Sequence, residues 1–380
     1  MDGLLTPVFV RLWLAVLAVF VAFGTILLTV PLYTAEALGS GDFAVGIAAG
    51  AASVTALVFG PVSGRLADRH GRRPVLALSA VGILLSYGAL LLEPGLVGLI
   101  ALRLFAGLAE AGFVIAAYTM TTDLAPESRR GEALSLATVA SYIGLAVGPA
   151  AADFILGDDR FRLVWLVAAV CTAVAALLVL TLPETRPQDD QPHAGWLPPR
   201  GALLPGLILF LALVGFGGFN AFAALYSKEI DFARAGFAFA LFGVVVILMR
   251  LVGRTLPDRL GPKTATTLAC TLVGTGLAII AAFPNVVGLL VGTAVFAAGQ
   301  ALAYPAIVLF AIARTDDRER SAVVGSVTAF VDVALAGGAM TLGAIAALTG
   351  YRGVWVAASL SAFAGLLVLA LAPRSEPARA

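Results

Sequence analysis

Charge is scarce in this sequence: Asp, Glu, Lys and Arg together make up 12% of its 380 residues, where soluble proteins carry about 25%. At that density the surface of a water-soluble fold of this size could not be covered. Lysine is nearly absent, Lys228 and Lys263 being the two. No G-x-x-x-x-G-K-[ST] run occurs, which excludes the phosphate-cradling loop of an ATP-driven pump. Two cysteines and two histidines are too few for a disulfide framework or a metal cluster. Cys171 and Cys270 lie in apolar runs, where cysteine behaves as a small hydrophobe. With 24 basic and 23 acidic residues the net charge is +1, which argues against a nucleic-acid partner bound by phosphate neutralisation. There is no Ser/His/Asp or metal constellation and no sizeable soluble stretch, so the chain does not read as an enzyme and calls for no cofactor.

What the sequence has in abundance is apolar length. Hydrophobic residues make up 60% and the mean hydropathy is +1.00. Apolar runs broken by Gly, Pro and charge predict twelve spans near 9–36, 44–63, 74–92, 96–119, 133–153, 162–182, 203–226, 235–254, 264–283, 286–312, 321–346 and 353–372. Each approaches the roughly 20 residues a bilayer crossing needs. All should be helices, since an open strand edge cannot be satisfied in lipid. The single arginine before the first run and the lack of a small-residue cleavage site predict a retained first helix rather than a signal peptide. Residues 183–202 are polar and Pro-rich and divide the chain into a six-helix half at 1–182, a linker, and a second half at 203–380. If the N-terminus is cytoplasmic, 17 of the 24 basic residues fall in inner segments and 5 in outer ones, which predicts both termini inside.

The halves echo each other. GRLADRHG at 64–71 returns as GRTLPDRLG at 253–261, with Asp68 opposite Asp258, and ESRRGEALS at 127–135 returns as RERSAVVG at 318–325, with Arg130 opposite Arg320. Tandem six-helix halves are a hallmark of internally duplicated transporters. In the first echo, Gly64 would allow close helix approach, Gly71 a tight turn, and Asp68 a place at a neighbouring helix N-terminus.

Gly64-Arg-Leu-Ala-Asp68-Arg69-His-Gly71-Arg72-Arg73, between spans two and three, resembles the signature of the major facilitator superfamily, and the likeness extends over the whole chain. The resemblance implies an all-α membrane fold of twelve helices in two pseudo-symmetric halves. It also implies that Asp68, Arg69 and Arg72 latch the cytoplasmic side, whereas the plain reading is a basic loop that sets topology. Arg103-Leu-Phe-Ala-Gly107 resembles the superfamily's span-four arginine motif, with Ala106 in place of the common polar residue. That likeness associates Arg103 with proton coupling. A structural ion pair is the alternative, because a charge in mid-membrane needs a partner or a cavity. Glu110 lies seven residues on, about 10.5 Å along the axis, so the two are expected to share a face without touching.

Gly144-Leu-Ala-Val-Gly148-Pro149 resembles the span-five motif of proton-driven antiporters, including drug exporters, although Ala152 and Asp153 stand where paired glycines are usual. Glycines four apart also serve close packing alone, and Pro149 can kink the span. In span eleven, Asp332 lies about 11 residues from the cytoplasmic end, near mid-depth at about 1.5 Å per residue, and is the acid candidate of the second half. Arg250, in span eight, either partners it or snorkels to the interface.

Helices one, four, seven and ten line the central cavity in transporters of this fold. On those spans the resemblance points to Thr25, Thr29, Glu110, Tyr118, Phe216, Phe219, Asn220, Phe222, Gln300 and Tyr304, with Tyr142 added from span five. Many aromatics and few charges suit an amphipathic ligand. The expectation is a monomeric, multi-pass protein of the plasma (inner) membrane that exports small organic compounds, drugs or metabolites, in exchange for protons by alternating access. The alternative is proton-coupled import of a sugar, organic acid or other nutrient.

Overall fold

The computed structural model describes residues 4–157, 160–185, 200–253, 256–315 and 319–372. Their backbone is helical almost throughout, with no strand among the described residues. The helices are α1 (Pro7–Leu32), α2 (Asp42–His70), α3 (Arg72–Ala89), α4 (Leu96–Asp123), α5 (Arg130–Leu156), α6 (Phe161–Leu180), α7 (Arg200–Glu229), α8 (Gly236–Val252), α9 (Leu256–Leu260), α10 (Pro262–Ala282), α11 (Val286–Ile312) and α12 (Arg320–Leu371). A π-helical turn, Tyr33–Ala37, extends α1. Starts are set locally: the Thr6 hydroxyl accepts from the Phe9 amide at 3.2 Å with Pro7 at the first helical position, and Asn285 accepts from Gly288 at 2.8 Å.

Among the described residues, ten helices are long and apolar enough to cross a membrane. Gly236–Val252 is apolar but shorter, and Arg320–Leu371 joins two helices across Gly350, whose φ of 73° and ψ of 179° are non-helical. That break falls between the eleventh and twelfth runs expected from the sequence. The second span is longer than expected. α2 runs on to His70, so Gly64 to His70 are helical rather than a loop. Arg, Leu and Ala are good helix formers, and termination waits for Gly71, whose φ of 102° lies in the left-handed region. The linker expected over 183–202 lies outside the described residues from 186 to 199. So do Arg186, Arg254, Arg318, Arg374 and Arg379, and the side chain of Asp258.

The chain divides into two compact units, one of residues 1–193 with 220–244, the other of 194–219 with 245–380. In the first, α1 packs on α5 and α6, α2 on α4, and α3 on α4 and α6. Contact between helices in lipid relies on close van der Waals packing, which small residues permit. Such an approach occurs at Gly107, where a Cβ would overlap the Ala52 carbonyl oxygen of α2. Gly64 behaves otherwise: an added Cβ would meet Ile115 Cγ2 at 4.0 Å, an ordinary contact, so the close approach expected there is absent. In the second unit α10 packs on α11 and α12. A core of Ile208, Leu209, Ala269, Ile307, Phe310 and Val327 draws α7, α10, α11 and α12 together.

Candidate functional site

The middle of α4 carries a buried charged pair. Arg103 is 3% exposed, and its Nη1 lies 3.3 Å from Glu110 Oε1. The two side chains therefore touch, contrary to the separation expected from their axial spacing. Cα–Cβ bonds tilt towards a helix's N-terminus, so Glu110 leans back while the long arginine spans the remaining rise. Tyr87 of α3, 1% exposed, donates its hydroxyl to the same Oε1 at 2.7 Å. Sequence reasoning passed over Tyr87, because a tyrosine in an apolar span reads as packing. The available signal was that a buried phenol needs a hydrogen-bond partner. The seam that brings these groups together is tight: an added Cβ on Gly82 would lie 2.9 Å from Ala109 Cβ, and the Ser86 hydroxyl donates to the Leu102 carbonyl at 2.8 Å.

A second polar cluster joins the C-terminal end of α2 to the start of α3. Asp68 pairs with Arg72 one turn on, and Arg72 Nε also reaches Asp123 Oδ2 at 3.4 Å. Asp68 thus meets the Arg72 side chain, and at the N-terminus of α3 the Arg72 amide donates to Glu184 Oε1 at 2.7 Å. The Thr185 hydroxyl adds a 3.1 Å bond to Asp123, and Arg73 Nη2 donates to the Leu180 carbonyl at 2.7 Å. Arg69 is exposed. Glu184 went unnoticed in the sequence because it stands in a Pro-rich stretch that reads as linker.

The glycines of the span-five motif form the contact of α5 with α1. A Cβ on Gly144 would lie 2.6 Å from the Phe20 carbonyl carbon, one on Gly148 would overlap the Val21 carbonyl oxygen, and one on Gly24 would lie 2.8 Å from Pro149 Cδ. In the second unit, Asp332 is half-buried on α12 and Arg250 half-buried in the last turn of α8.

The cavity candidates differ in what their polar atoms do. Thr25 and Thr29 are fully buried and donate to carbonyls of their own helix, at 2.6 Å to Ala22 and 2.7 Å to Thr25. Tyr118 and Ser141 share a 2.8 Å hydrogen bond between α4 and α5, beside half-buried Tyr142. Phe219 is buried in a cluster with Phe296 and Trp355, at centroid distances of 5.6 and 6.4 Å, and Phe222 is likewise buried. Phe216 and Asn220 are half-buried. Gln300 Nε2 donates to the Ala212 carbonyl at 3.1 Å, and Tyr304 shares a 2.8 Å hydrogen bond with Thr328.

A bundle of membrane-crossing helices with buried ionic and polar groups on their inner seams defines a multi-pass membrane transporter. A family model described as Major Facilitator Superfamily matches residues 12–271 and again 205–380, and the chain belongs to that superfamily. It is a transporter by family rather than an enzyme. Among relatives, the MFS-type transporter STM4428 of Salmonella typhimurium is 28% identical over 366 residues, 94% of each chain. The staphylopine export protein of Staphylococcus aureus is 26% identical over 399 residues, 98% of this chain and 96% of that one. The solved structure of the nucleoside transporter NupG has a TM-score of 0.79 at 16% identity, over 96% of this chain and 99% of that one, which is a likeness of fold.

Proposed function

We propose that the protein is a proton-coupled antiporter that exports small organic compounds. The observation that carries this reading is the Arg103–Glu110 pair, set in the middle of a membrane helix with 4% and 13% of the two side chains exposed. Ionisable groups at such positions are costly and mark ion pathways. A single acid held by one arginine fits proton exchange better than an oxygen-rich sodium cage. Glu110 and Asp332 are the proton carriers of the two halves, with Arg103 and Arg250 as their basic partners. The cluster of Asp68, Arg69 and Arg72 is the cytoplasmic latch. Tyr118, Tyr142, Phe216, Asn220 and Tyr304, which keep exposed surface, are the first ligand contacts to test, and the buried candidates shape the wall behind them. The export function of the Staphylococcus aureus relative supports the direction.

The reading includes twelve crossings: α8 crosses despite its length, and α12 supplies two crossings about Gly350. The halves are 1–182 and 203–380, joined by a cytoplasmic linker at 183–202. The protein works as a monomer in the inner membrane with both termini in the cytoplasm. Proton uptake and release bias the rocking between inward-open and outward-open states.

Inside-out proteoliposomes with an acidified lumen test this, with labelled amphipathic compounds and nutrients supplied outside and lumenal pH followed. Ligand accumulation coupled to proton efflux is the expected result. Accumulation only under the reversed gradient, with protons entering alongside the ligand, would establish symport. The packing of Gly144 and Gly148 against α1 is the observation behind that second reading, because close helix packing carries no transport direction.

A further inference from the structure

Two donors from two helices converge on one oxygen of Glu110. The Tyr87 hydroxyl reaches Oε1 at 2.7 Å from α3, and Arg103 Nη1 reaches it at 3.3 Å from the same helix as Glu110. The tyrosine contact is the shorter, and its ring is fixed in a fully buried site. Arg103 is held less completely, its buried Nε having no hydrogen-bond partner among the described residues. α4 also packs against α1, α2 and α5. Among the described residues, Tyr87 and Arg103 are the ionisable side chains in contact with Glu110.

We infer that Tyr87 is a positioning residue that orients the Glu110 carboxylate and sets the pH at which it exchanges its proton. With both donors on Oε1, Oε2 is left as the atom that takes and gives up the proton. A phenol O–H bonds a carboxylate more strongly than it bonds the neutral acid. Removing the hydroxyl therefore lets the carboxyl be protonated at lower proton concentration. A ring that merely filled space would have no such effect. This inference rests on Glu110 being a proton carrier.

The test is infrared difference spectroscopy of the purified full chain in lipid, following the carboxyl C=O band against pH. The band is assigned to Glu110 by its loss in Glu110→Gln. In Tyr87→Phe the midpoint is expected to rise by about one pH unit, a tenfold change in proton affinity, and the band to move to the frequency of a less hydrogen-bonded acid. Incorporation of 3-fluorotyrosine at position 87 keeps the ring and makes the phenol a stronger donor, so the midpoint should move the other way. That substitution also carries the test if Tyr87→Phe does not fold. A Glu110 band that titrates with an unmoved midpoint would overturn the role of Tyr87 alone. If no band lost in Glu110→Gln titrates at all, Glu110 is not a carrier, and both this inference and its place in the proposed mechanism fall.

Discussion

The amide of Arg72 donates to Glu184 Oε1 at 2.7 Å across 112 positions of the chain, so a carboxylate beyond α6 sits on the first turn of α3. It stands where a side chain on Gly71 would have to go, since a Cβ there would lie 2.6 Å from the Glu184 carboxyl carbon. Two substitutions separate the two effects. Glu184→Gln weakens the charge at the helix N-terminus and should cost about 0.5 kcal/mol. Gly71→Ala forces a left-handed φ on an L-residue and also displaces the carboxylate, so it should cost at least about 1 kcal/mol. Thermal unfolding in detergent checks the order. A Gly71→Ala protein as stable as the parent would mean both that the backbone at position 71 relaxes out of the left-handed region and that Glu184 moves aside freely.

Asp68→Asn leaves the buried Arg72 guanidinium with Asp123 as its remaining carboxylate. A partly exposed pair contributes on the order of 1 kcal/mol, enough to change the balance of two conformations about fivefold. Transport should slow by about that factor while the amount of protein in the membrane is unchanged. Initial rates normalised to membrane-inserted protein measure this, and parental rates would remove Asp68 from the latch.

Asp332→Asn keeps the shape of the side chain and abolishes its titration. The expected protein still binds ligand and exchanges it down a gradient but cannot drive it uphill with protons. Counterflow and gradient-driven uptake in one proteoliposome preparation distinguish these activities. Uphill transport with the parental pH dependence would exclude Asp332 as a carrier.

Gly107→Ala and Gly64→Ala form a matched pair. The first places a methyl against the Ala52 carbonyl and should destabilise by about 1–3 kcal/mol, as overpacking does. The second adds a methyl at ordinary contact distance inside a helix, where exchanging Gly for Ala is neutral or stabilises by up to about 1 kcal/mol. Unfolding midpoints in the same detergent should therefore move in opposite directions or differ clearly. Equal shifts would contradict the packing described for α2 and α4.

The membrane class, the helical spans and the break before the last of them were legible because each depends on local apolar length and on Gly, Pro or charge nearby. The extent of α2 was misjudged, since Arg65, Arg69 and His70 look like loop residues although all can continue a helix. The contact of Arg103 with Glu110 was missed by measuring rise along the axis and neglecting the reach and tilt of the side chains. Tyr87 and Glu184 were missed for a different reason. Their importance comes from partners on other helices, 23 and 112 positions away, and no local pattern encodes such pairings. Gly144 and Gly148 were legible as a motif, and the structure supplies the reason for glycine there, which is the backbone of α1.

Gly350 has a bearing on how the last two helical segments are joined. It is the single non-helical residue in a 52-residue helical stretch, and nearby Arg352 is anchored through its Nε to the Ala281 carbonyl at 3.0 Å. The two segments flanking the glycine meet with no loop between them, so the change of course from one to the next is carried by the backbone torsions of one residue without a side chain.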